Sequence, residues 1–303
     1  MGSSLSISAV VGGVVATILL SSAYVINLQE KPQFLRRNRL KIMAFGLTWQ
    51  CLSLIYAAVL LLTSVIRGRE WLRVAASHSA AEGISKLLCT VFFGEVVLEG
   101  TEHIPKNSMK GQAQPAIVAP NHSSMVDVLL CAMLPGDFTW VAKSSVFILP
   151  GIGQLLWMAG TVPLVRGKKS SALQMLEGCR KALDDGWSVL IYPQGTRNRR
   201  KWLPWKYGAF KLSIEKQVPI IPVSIVLPDD TWTNLECKLI VKVHPPIHPP
   251  EPPAPVEDMM QERSAMSEAL RTKMDAAILS MTEEAERRVL SAFPSDHQFR
   301  KAD

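Results

Sequence analysis

Short apolar runs alternate with helical patterns after Arg73, and this alternation restricts the fold more than any other feature of the chain. The helical pattern is clearest from Ser171 to Asp184, where one face is apolar and the other charged. Six runs are predicted strands: Glu95 to Glu99, Ala116 to Ala119, Thr161 to Val165, Ser188 to Tyr192, Ile220 to Val226 and Leu239 to Val243. The pattern predicts an α/β domain with a largely parallel central sheet flanked by helices.

Two uncharged stretches precede this domain, from Met1 to Gln29 and from Ile42 to Ile66. At about 1.5 Å per helical residue, each is long enough to cross a hydrocarbon core of about 30 Å. We therefore predict apolar membrane helices at about residues 7–28 and 42–66, within a membrane-anchoring region of residues 1–75. A cleavable signal peptide is the alternative for the first stretch, although no basic region precedes it.

The loop between the two stretches is basic and is predicted to lie in the cytoplasm. Its charged residues are Lys31, Arg36, Arg37, Arg39 and Lys41 against Glu30. If both stretches spanned the membrane, the domain after Arg67 would lie on the opposite side, away from cytosolic cofactors. We therefore predict a re-entrant or interfacial second segment, because Trp49, Gln50 and Ser53 make its start amphipathic. Gly2 also fits the N-myristoylation pattern.

Residues 76–303 are predicted to form the globular domain. Prolines over residues 244–255 exclude a helix there and predict an extended connector, and a helical pattern from Met259 to Leu290 follows it. The five cysteines show neither paired nor metal-ligand spacing and are predicted to be buried thiols. The net charge of +7 favours an anionic partner, without deciding among lipid headgroups, a phosphorylated substrate and nucleic acid.

A polar string from Asn121 to Asp127 follows the second predicted strand. Ligands of open α/β sheets bind beyond the carboxyl ends of the strands, so this location suits a catalytic histidine. His122 is a candidate general base, and Asp127 is a candidate carboxylate to orient it. On one helix these side chains would point about 140° apart, so they meet only if His122 lies in the turn before the helix.

A purely structural role explains the same residues. Ser124 and Asp127 fit a variant of the capping box, and His122 fits a hydrogen-bonded loop histidine. Ser123 and Ser124 also offer hydroxyl nucleophiles, but the G-x-S-x-G elbow that exposes a nucleophilic serine is absent.

A second polar string, Tyr192 to Arg197, follows another predicted strand. Gly195 permits close backbone approach, Thr196 offers a hydroxyl and Arg197 a bidentate guanidinium, which together suit phosphate. A plain β-turn is the alternative. The loop that follows contains Arg199, Arg200, Lys201, Trp202, Trp205 and Lys206, which fit either a membrane-facing patch or a solvated basic loop. Nucleic-acid binding is disfavoured because no nucleic-acid module accompanies the loop.

Four blocks follow one another in the chain: His122-x4-Asp127, Gly160 to Gly167, Tyr192 to Arg197, and Val218 to Val223. In this order they resemble the glycerolipid acyltransferase family, most closely its 1-acylglycerol-3-phosphate acyltransferases. The resemblance covers about Val96 to Pro246, and the order of the blocks is far more specific than any single block. Lys143 and the string from Trp205 to Phe210 also resemble family positions.

The resemblance implies transfer of a fatty acyl group from acyl-CoA, as co-substrate, to the sn-2 hydroxyl of lysophosphatidic acid, giving phosphatidic acid. It implies no metal, no other cofactor and no nucleic-acid partner. His122 is implied as the base and Asp127 as its partner, and the implied substrate-binding residues are Lys143, Arg166, Gln194, Gly195, Thr196 and Arg197. The implied location is the endoplasmic reticulum membrane in a eukaryote or the cytoplasmic membrane in a bacterium, with a cytosolic catalytic domain.

Gln194 departs from the family pattern, which usually has glutamate before Gly-Thr-Arg. Glutamine keeps an acceptor and gains donors but loses the charge. Two alternatives therefore stay open. One is an acyltransferase for another lysophospholipid or a glycerol-3-phosphate-like acceptor, and the other is a weakly catalytic lipid-binding membrane protein. Substitution of His122 distinguishes the lipid-binding protein from both acyltransferases. An enzyme would lose turnover while keeping lipid binding, whereas a binding protein would lose little.

Overall fold

The structure is a computed structural model that describes residues 32–105, 114–251, 268–295, 297, 299 and 300. The helices are α1 (Pro32–Arg67), α2 (Arg69–Val74), α3 (Ala81–Phe92), α4 (Val126–Ala132), α5 (Ile152–Met158), α6 (Lys169–Asp184), α7 (Gly208–Lys216) and α8 (Glu268–Ser291). The strands are β1 (Gly94–Glu99), β2 (Ile117–Pro120), β3 (Phe138–Lys143), β4 (Val162–Leu164), β5 (Ser188–Leu190), β6 (Ile220–Val226) and β7 (Cys237–Val243).

The strands form one sheet in the order β1-β7-β6-β2-β5-β3-β4. The five strands from β6 to β4 in this order are parallel to one another, whereas β7 is antiparallel to β6 and parallel to β1. The predicted α/β class with a largely parallel sheet is therefore confirmed. β3 lies outside the six predicted strands, although Phe138, Thr139, Trp140 and Val141 are all residue types that favour strands.

Apolar side chains on the two faces of the sheet enter two separate cores. Val118, Leu190 and Ile221 pack with α1, α3 and α4 on one face. Ile117 and Val189 pack with α6, α7 and α8 on the other. Neighbouring residues of β2 thus face opposite layers, as the pleat requires, and helices cover both faces of the sheet.

α1 is one unbroken helix of 36 residues. Its part from Leu40 to Arg67 is apolar and long enough to cross a membrane, with 22% of its most apolar window buried against the rest of the protein. Phe45 and Ala57 are buried inward, while Leu62 and Ile66 are exposed. A re-entrant segment would need a turn, and α1 contains none; an interfacial and a spanning placement both stay predictions.

Several predictions concern residues outside the described part of the chain. These are the first apolar segment at 7–28, myristoylation of Gly2 and the start of the C-terminal helix at 259–267. One of the two predicted apolar helices is therefore described. Four cysteines are buried as predicted, but Cys51 is exposed on α1.

Candidate active site

The two polar strings lie side by side at the carboxyl edge of the sheet. β2 and β5 are parallel neighbours, with Ile117 opposite Val189. The string that begins at Asn121 follows β2, and the string that begins at Tyr192 follows β5. Because parallel strands end at the same edge, residues about 70 positions apart in the chain face one another there.

His122 and Asp127 meet across the turn before α4. His122 Nδ1 lies 2.9 Å from Asp127 Oδ2, and both side chains are buried. The same oxygen accepts the backbone N–H groups of Ser123 at 2.6 Å and Ser124 at 2.8 Å. Asp127 thus caps the turn, as the structural alternative proposes, and also contacts the histidine.

The protonation state of His122 follows from these contacts. Since Asp127 Oδ2 already accepts two backbone N–H groups, we assign the Nδ1 proton to His122, which leaves Nε2 as an acceptor. Burial lowers the pKa of His122 below its ordinary value of 6.5, Asp127 opposes this, and Arg197 and Arg166 add to the lowering. The imidazole is therefore neutral at neutral pH, the form in which it can accept a proton.

Tyr192 packs against the His122 ring, and Asn121, the residue before His122, ties this turn to β6. The Tyr192 ring stacks on His122 with ring centroids 3.9 Å apart. Asn121 is buried and bonds both backbone groups of Ile225: its Nδ2 donates to the carbonyl oxygen at 3.1 Å, and its Oδ1 accepts the N–H at 2.7 Å. The sequence motifs contain both residues but give no sign of these roles, because the Tyr192 contact depends on β5 lying beside β2 and the Asn121 contact on β6 lying beside β2.

Gln194 of the second polar string, and Asn198 just after it, hydrogen-bond to the backbone of His122. The His122 N–H donates to Gln194 Oε1 at 2.6 Å, and the Asn198 N–H donates to the His122 carbonyl oxygen at 3.1 Å. Gln194 Nε2 donates to the Leu203 carbonyl oxygen at 3.1 Å. Gln194 is 3% exposed, and both ends of its amide are occupied by the protein's own backbone. It was predicted to contact substrate, but in this structure it joins two loops.

Arg166 and Arg197 approach the histidine from different loops. Both guanidinium groups lie near enough to His122 to lower its pKa. Arg166 follows β4, and its Nη1 donates to Thr196 Oγ1 at 3.4 Å. Gly195 has a left-handed φ of 69°, and the Lys206 side chain lies where a Cβ at this position would be. Arg166 and Thr196 thus contact each other, and the positive charges of Arg166 and Arg197 both act on the imidazole; we call Arg166, Thr196 and Arg197 the cationic rim.

Other predicted residues lie further from the histidine. Lys143 ends β3 opposite Leu164, two residues before Arg166, at the same carboxyl edge. Trp205 is buried and Trp202 half-buried, and both bond Glu286 of α8. The two tryptophans therefore face the protein, whereas Arg200, Lys201 and Lys206 of the same loop are exposed, as expected of a solvated basic loop.

The arrangement suits proton abstraction beside a bound anion. It provides a neutral imidazole that is held by a carboxylate and whose Nε2 has no hydrogen-bond partner among the described residues, and two arginines whose charges act on it. Within the residues that the structure describes, no group of three or more His, Cys, Asp and Glu side chains is placed to hold a metal ion.

Comparison with known proteins identifies the domain that carries this site. Residues 95–226 match the acyltransferase family. The chloroplastic 1-acyl-sn-glycerol-3-phosphate acyltransferase BAT2 of Brassica napus is 26% identical over 65% of this chain and 56% of its own length. The human 1-acyl-sn-glycerol-3-phosphate acyltransferase alpha is 31% identical over 50% of this chain and 54% of its own.

Among solved structures, the 1-acyl-sn-glycerophosphate (LPA) acyltransferase PlsC of Thermotoga maritima aligns with a TM-score of 0.59 and 24% identity. The alignment covers 86% of this chain and 98% of that one, and at this identity it shows a common fold. The chain spans about half the length of the two sequence relatives named above. The family resemblance seen in the four sequence blocks is confirmed.

Proposed function

We propose that this chain, which carries a domain of the acyltransferase family over residues 95–226, makes phosphatidic acid from 1-acylglycerol-3-phosphate. The sn-2 hydroxyl of the lysolipid is the acceptor, and a fatty acyl thioester, acyl-CoA, is the donor. The observation that carries the proposal is the buried His122–Asp127 pair with two arginines beside it, in a domain whose relatives are named for this reaction.

His122 is the general base in this proposal. Its Nε2 accepts the proton of the sn-2 hydroxyl as the oxygen attacks the thioester carbonyl carbon. Asp127 holds the ring in the required tautomer and stabilises the imidazolium that forms. The tetrahedral intermediate then expels the thiolate of CoA, which takes the proton back from the imidazolium. One ester bond forms, one thioester bond breaks, and neither a covalent enzyme intermediate nor a metal is needed.

Arg166 and Arg197 bind the phosphate of the acceptor. A guanidinium can make two parallel hydrogen bonds to phosphate oxygens, so two arginines from separate loops would orient the glycerol backbone as well as hold it. Thr196 lies against Arg166 and adds a hydroxyl to the same rim. Lys143 is a further candidate phosphate ligand at that edge of the sheet.

The exposed apolar face of α1 gives the enzyme access to lipid substrates in this proposal. Ile55, Leu62 and Ile66 on this face are each more than half exposed, an arrangement that is unfavourable in water. We place this face in the acyl region of a membrane, with the carboxyl edge of the sheet open to the cytosol and to acyl-CoA.

The test is thiol release from acyl-CoA by the detergent-purified protein, with and without lysophosphatidic acid. His122→Ala is the variant, and His103→Ala, a half-exposed histidine near β1, is the matched control. We expect release that requires lysophosphatidic acid, falls by at least about 100-fold in His122→Ala and is unchanged in His103→Ala.

Other outcomes would change the proposal in defined ways. Release with a different lysolipid would keep the mechanism and change the acceptor. Activity with an acyl carrier protein thioester but not with acyl-CoA would change the donor. Lipid binding without release from any combination would contradict the enzyme and favour a lipid-binding protein.

A further inference from the structure

We propose that Glu286 of α8 is a positioning residue for the candidate active site, although it lies outside the segment that matches the family. It accepts the backbone N–H of Trp205 at 2.7 Å and the indole N–H of Trp202 at 3.2 Å, both on Oε1. One carboxylate oxygen thereby fixes two points of the loop that follows the second polar string.

This loop depends on such contacts because it has little regular structure. From Ile191 to Tyr207, between β5 and α7, the chain contains no helix or strand. Its two tryptophan rings stack with centroids 6.1 Å apart, and the Trp202 ring packs edge-on against Phe299 from the C-terminal segment. Its own backbone hydrogen bonds are few, such as that from the Lys206 N–H to the Pro193 carbonyl oxygen at 3.0 Å, so side-chain contacts supply much of its support.

A short chain of hydrogen bonds connects the loop with the histidine. Leu203 lies between the two residues that Glu286 holds, and its carbonyl oxygen accepts the amide N–H of Gln194 at 3.1 Å. Gln194 in turn accepts the backbone N–H of His122 at 2.6 Å. Fixing Trp202 and Trp205 thus fixes the Leu203 carbonyl, which orients the Gln194 amide, which holds the His122 backbone.

The chemistry of Gln194 fits this arrangement. An amide can donate to one backbone group and accept from another at the same time, whereas an ionised glutamate can only accept. The link between Leu203 and His122 therefore requires the glutamine of this chain. We infer that α8, Glu286 and Gln194 form one unit that sets the position of the base, and Glu286 itself contacts no reacting atom.

Hydrogen exchange measures this link without any need for activity. In the full-length detergent-purified protein, Glu286→Ala should increase amide exchange in the peptide that contains His122 by at least about tenfold. Glu284→Ala is the matched control, because Glu284 lies on the same helix and pairs only with Arg287 and Arg288 among the described residues. Glu286→Gln keeps an acceptor oxygen and should keep the protection. Unchanged exchange in Glu286→Ala would overturn the proposal.

The kinetic part rests on the proposed function. We expect Glu286→Ala to lower kcat about tenfold or more and to change the KM for acyl-CoA less than about twofold, with Glu286→Gln restoring most of kcat. In a Gln194→Ala background, Glu286→Ala should cost less than about twofold, because the link is already broken. If the double variant lowers kcat by the product of the two single effects, the route through Gln194 is contradicted.

Two controls keep the test decisive. If Glu286→Ala does not fold, Trp202→Phe removes one of the two hydrogen bonds and should raise exchange at the same peptide; no change there would overturn the proposal. If the parent chain shows no acyl transfer, the proposed function fails, and the exchange experiment still decides the role of Glu286.

Discussion

At the scale of single residues, the site is defined by where protons and hydrogen bonds are placed around His122. Asp127 and two backbone N–H groups determine the tautomer, and Tyr192 fixes the plane of the ring. Burial and two arginines keep the ring unprotonated at neutral pH. A histidine with these properties suits the general-base role that we propose for it.

The lowered pKa of His122 makes a prediction about the pH dependence of turnover. A histidine with a lowered pKa stays unprotonated at pH values where an ordinary histidine, with a pKa of 6.5, is half protonated. The acidic limb of kcat/KM for the proposed reaction should therefore fall below pH 6.5. Arg166→Gln removes a nearby cation and should move that limb to higher pH while weakening acceptor binding. A limb at or above pH 6.5 in the parent chain would contradict the assignment of His122 as the base.

Gln194 supplies a second prediction at this scale. Gln194→Glu places a carboxylate beside the Leu203 carbonyl oxygen, where the amide donates in the parent chain. At 3% exposure, the lost donor and the buried charge should lower the free energy of unfolding by about 1–3 kcal/mol at pH 8. Denaturant unfolding measures the change, and it should shrink as the pH is lowered, because a protonated carboxyl can donate again. An unchanged free energy of unfolding at pH 8 would show that the amide donor is dispensable.

At the scale of elements, α1 approaches the start of α5 closely at a glycine, a position where an added Cβ would meet α1. Gly151, at the start of α5, has a φ of 77°, and a Cβ there would lie 2.4 Å from the backbone nitrogen of Leu54. The next glycine of this segment, Gly153, is equally confined, since its Cβ would lie 1.9 Å from the Phe147 carbonyl oxygen. The backbone of α5 therefore touches the backbone of α1 directly, and little space remains for adjustment.

Gly151→Ala should accordingly destabilise the protein more than the backbone strain alone explains. Gly68→Ala is the control, because Gly68 has a similar φ of 85° and no atom within 4 Å of the added methyl group. We expect a loss of about 1 kcal/mol for Gly68→Ala and a further 1–3 kcal/mol, roughly, for Gly151→Ala, measured by thermal unfolding in detergent. Equal losses in the two variants would mean that α1 is not packed against α5 in solution.

At the scale of the whole molecule, the apolar face of α1 and the positive charge favour the same kind of partner. Leu62 and Ile66 are 72% and 89% exposed, and the chain carries a net charge of +7. Apolar side chains favour the acyl region of a bilayer, and a positive charge favours anionic headgroups. The interfacial placement of α1 remains a prediction.

Cysteine accessibility tests this placement. In a Cys51→Ser background, Leu62→Cys is the probe, and Leu235→Cys, an exposed apolar position in the loop before β7, is its control. The reaction of Leu62→Cys with a small water-soluble maleimide should be at least about tenfold slower in phosphatidylcholine vesicles than that of Leu235→Cys, because thiolates do not form in lipid. Equal rates would place the α1 face in water.

Much of the fold followed from the sequence, because strands and helices are encoded by local apolar periodicity. β6 has the predicted bounds, Ile220–Val226, and the charge-free stretch at 42–66 lies within one helix. β3 was not predicted, although Phe138, Thr139, Trp140 and Val141 all favour strands. The strand order is absent from local patterns, since it pairs β2 with β6 and β5 across about 100 and 70 positions of the chain.

The sequence by itself determined which residue types are available at the site: a histidine with a carboxylate five positions later, and arginines after two strands. These are local facts, and four ordered blocks were enough to predict the match of residues 95–226 to the acyltransferase family. The tertiary structure decided how the residues are used. In the folded chain, the Gln194 side chain is buried and hydrogen-bonds to the backbones of His122 and Leu203. Glu286, about 80 positions after Trp205 in the chain, hydrogen-bonds to the loop that contains this tryptophan. The physical reason is that a side chain's partners are set by long-range packing, whereas its chemical type is set by the sequence alone.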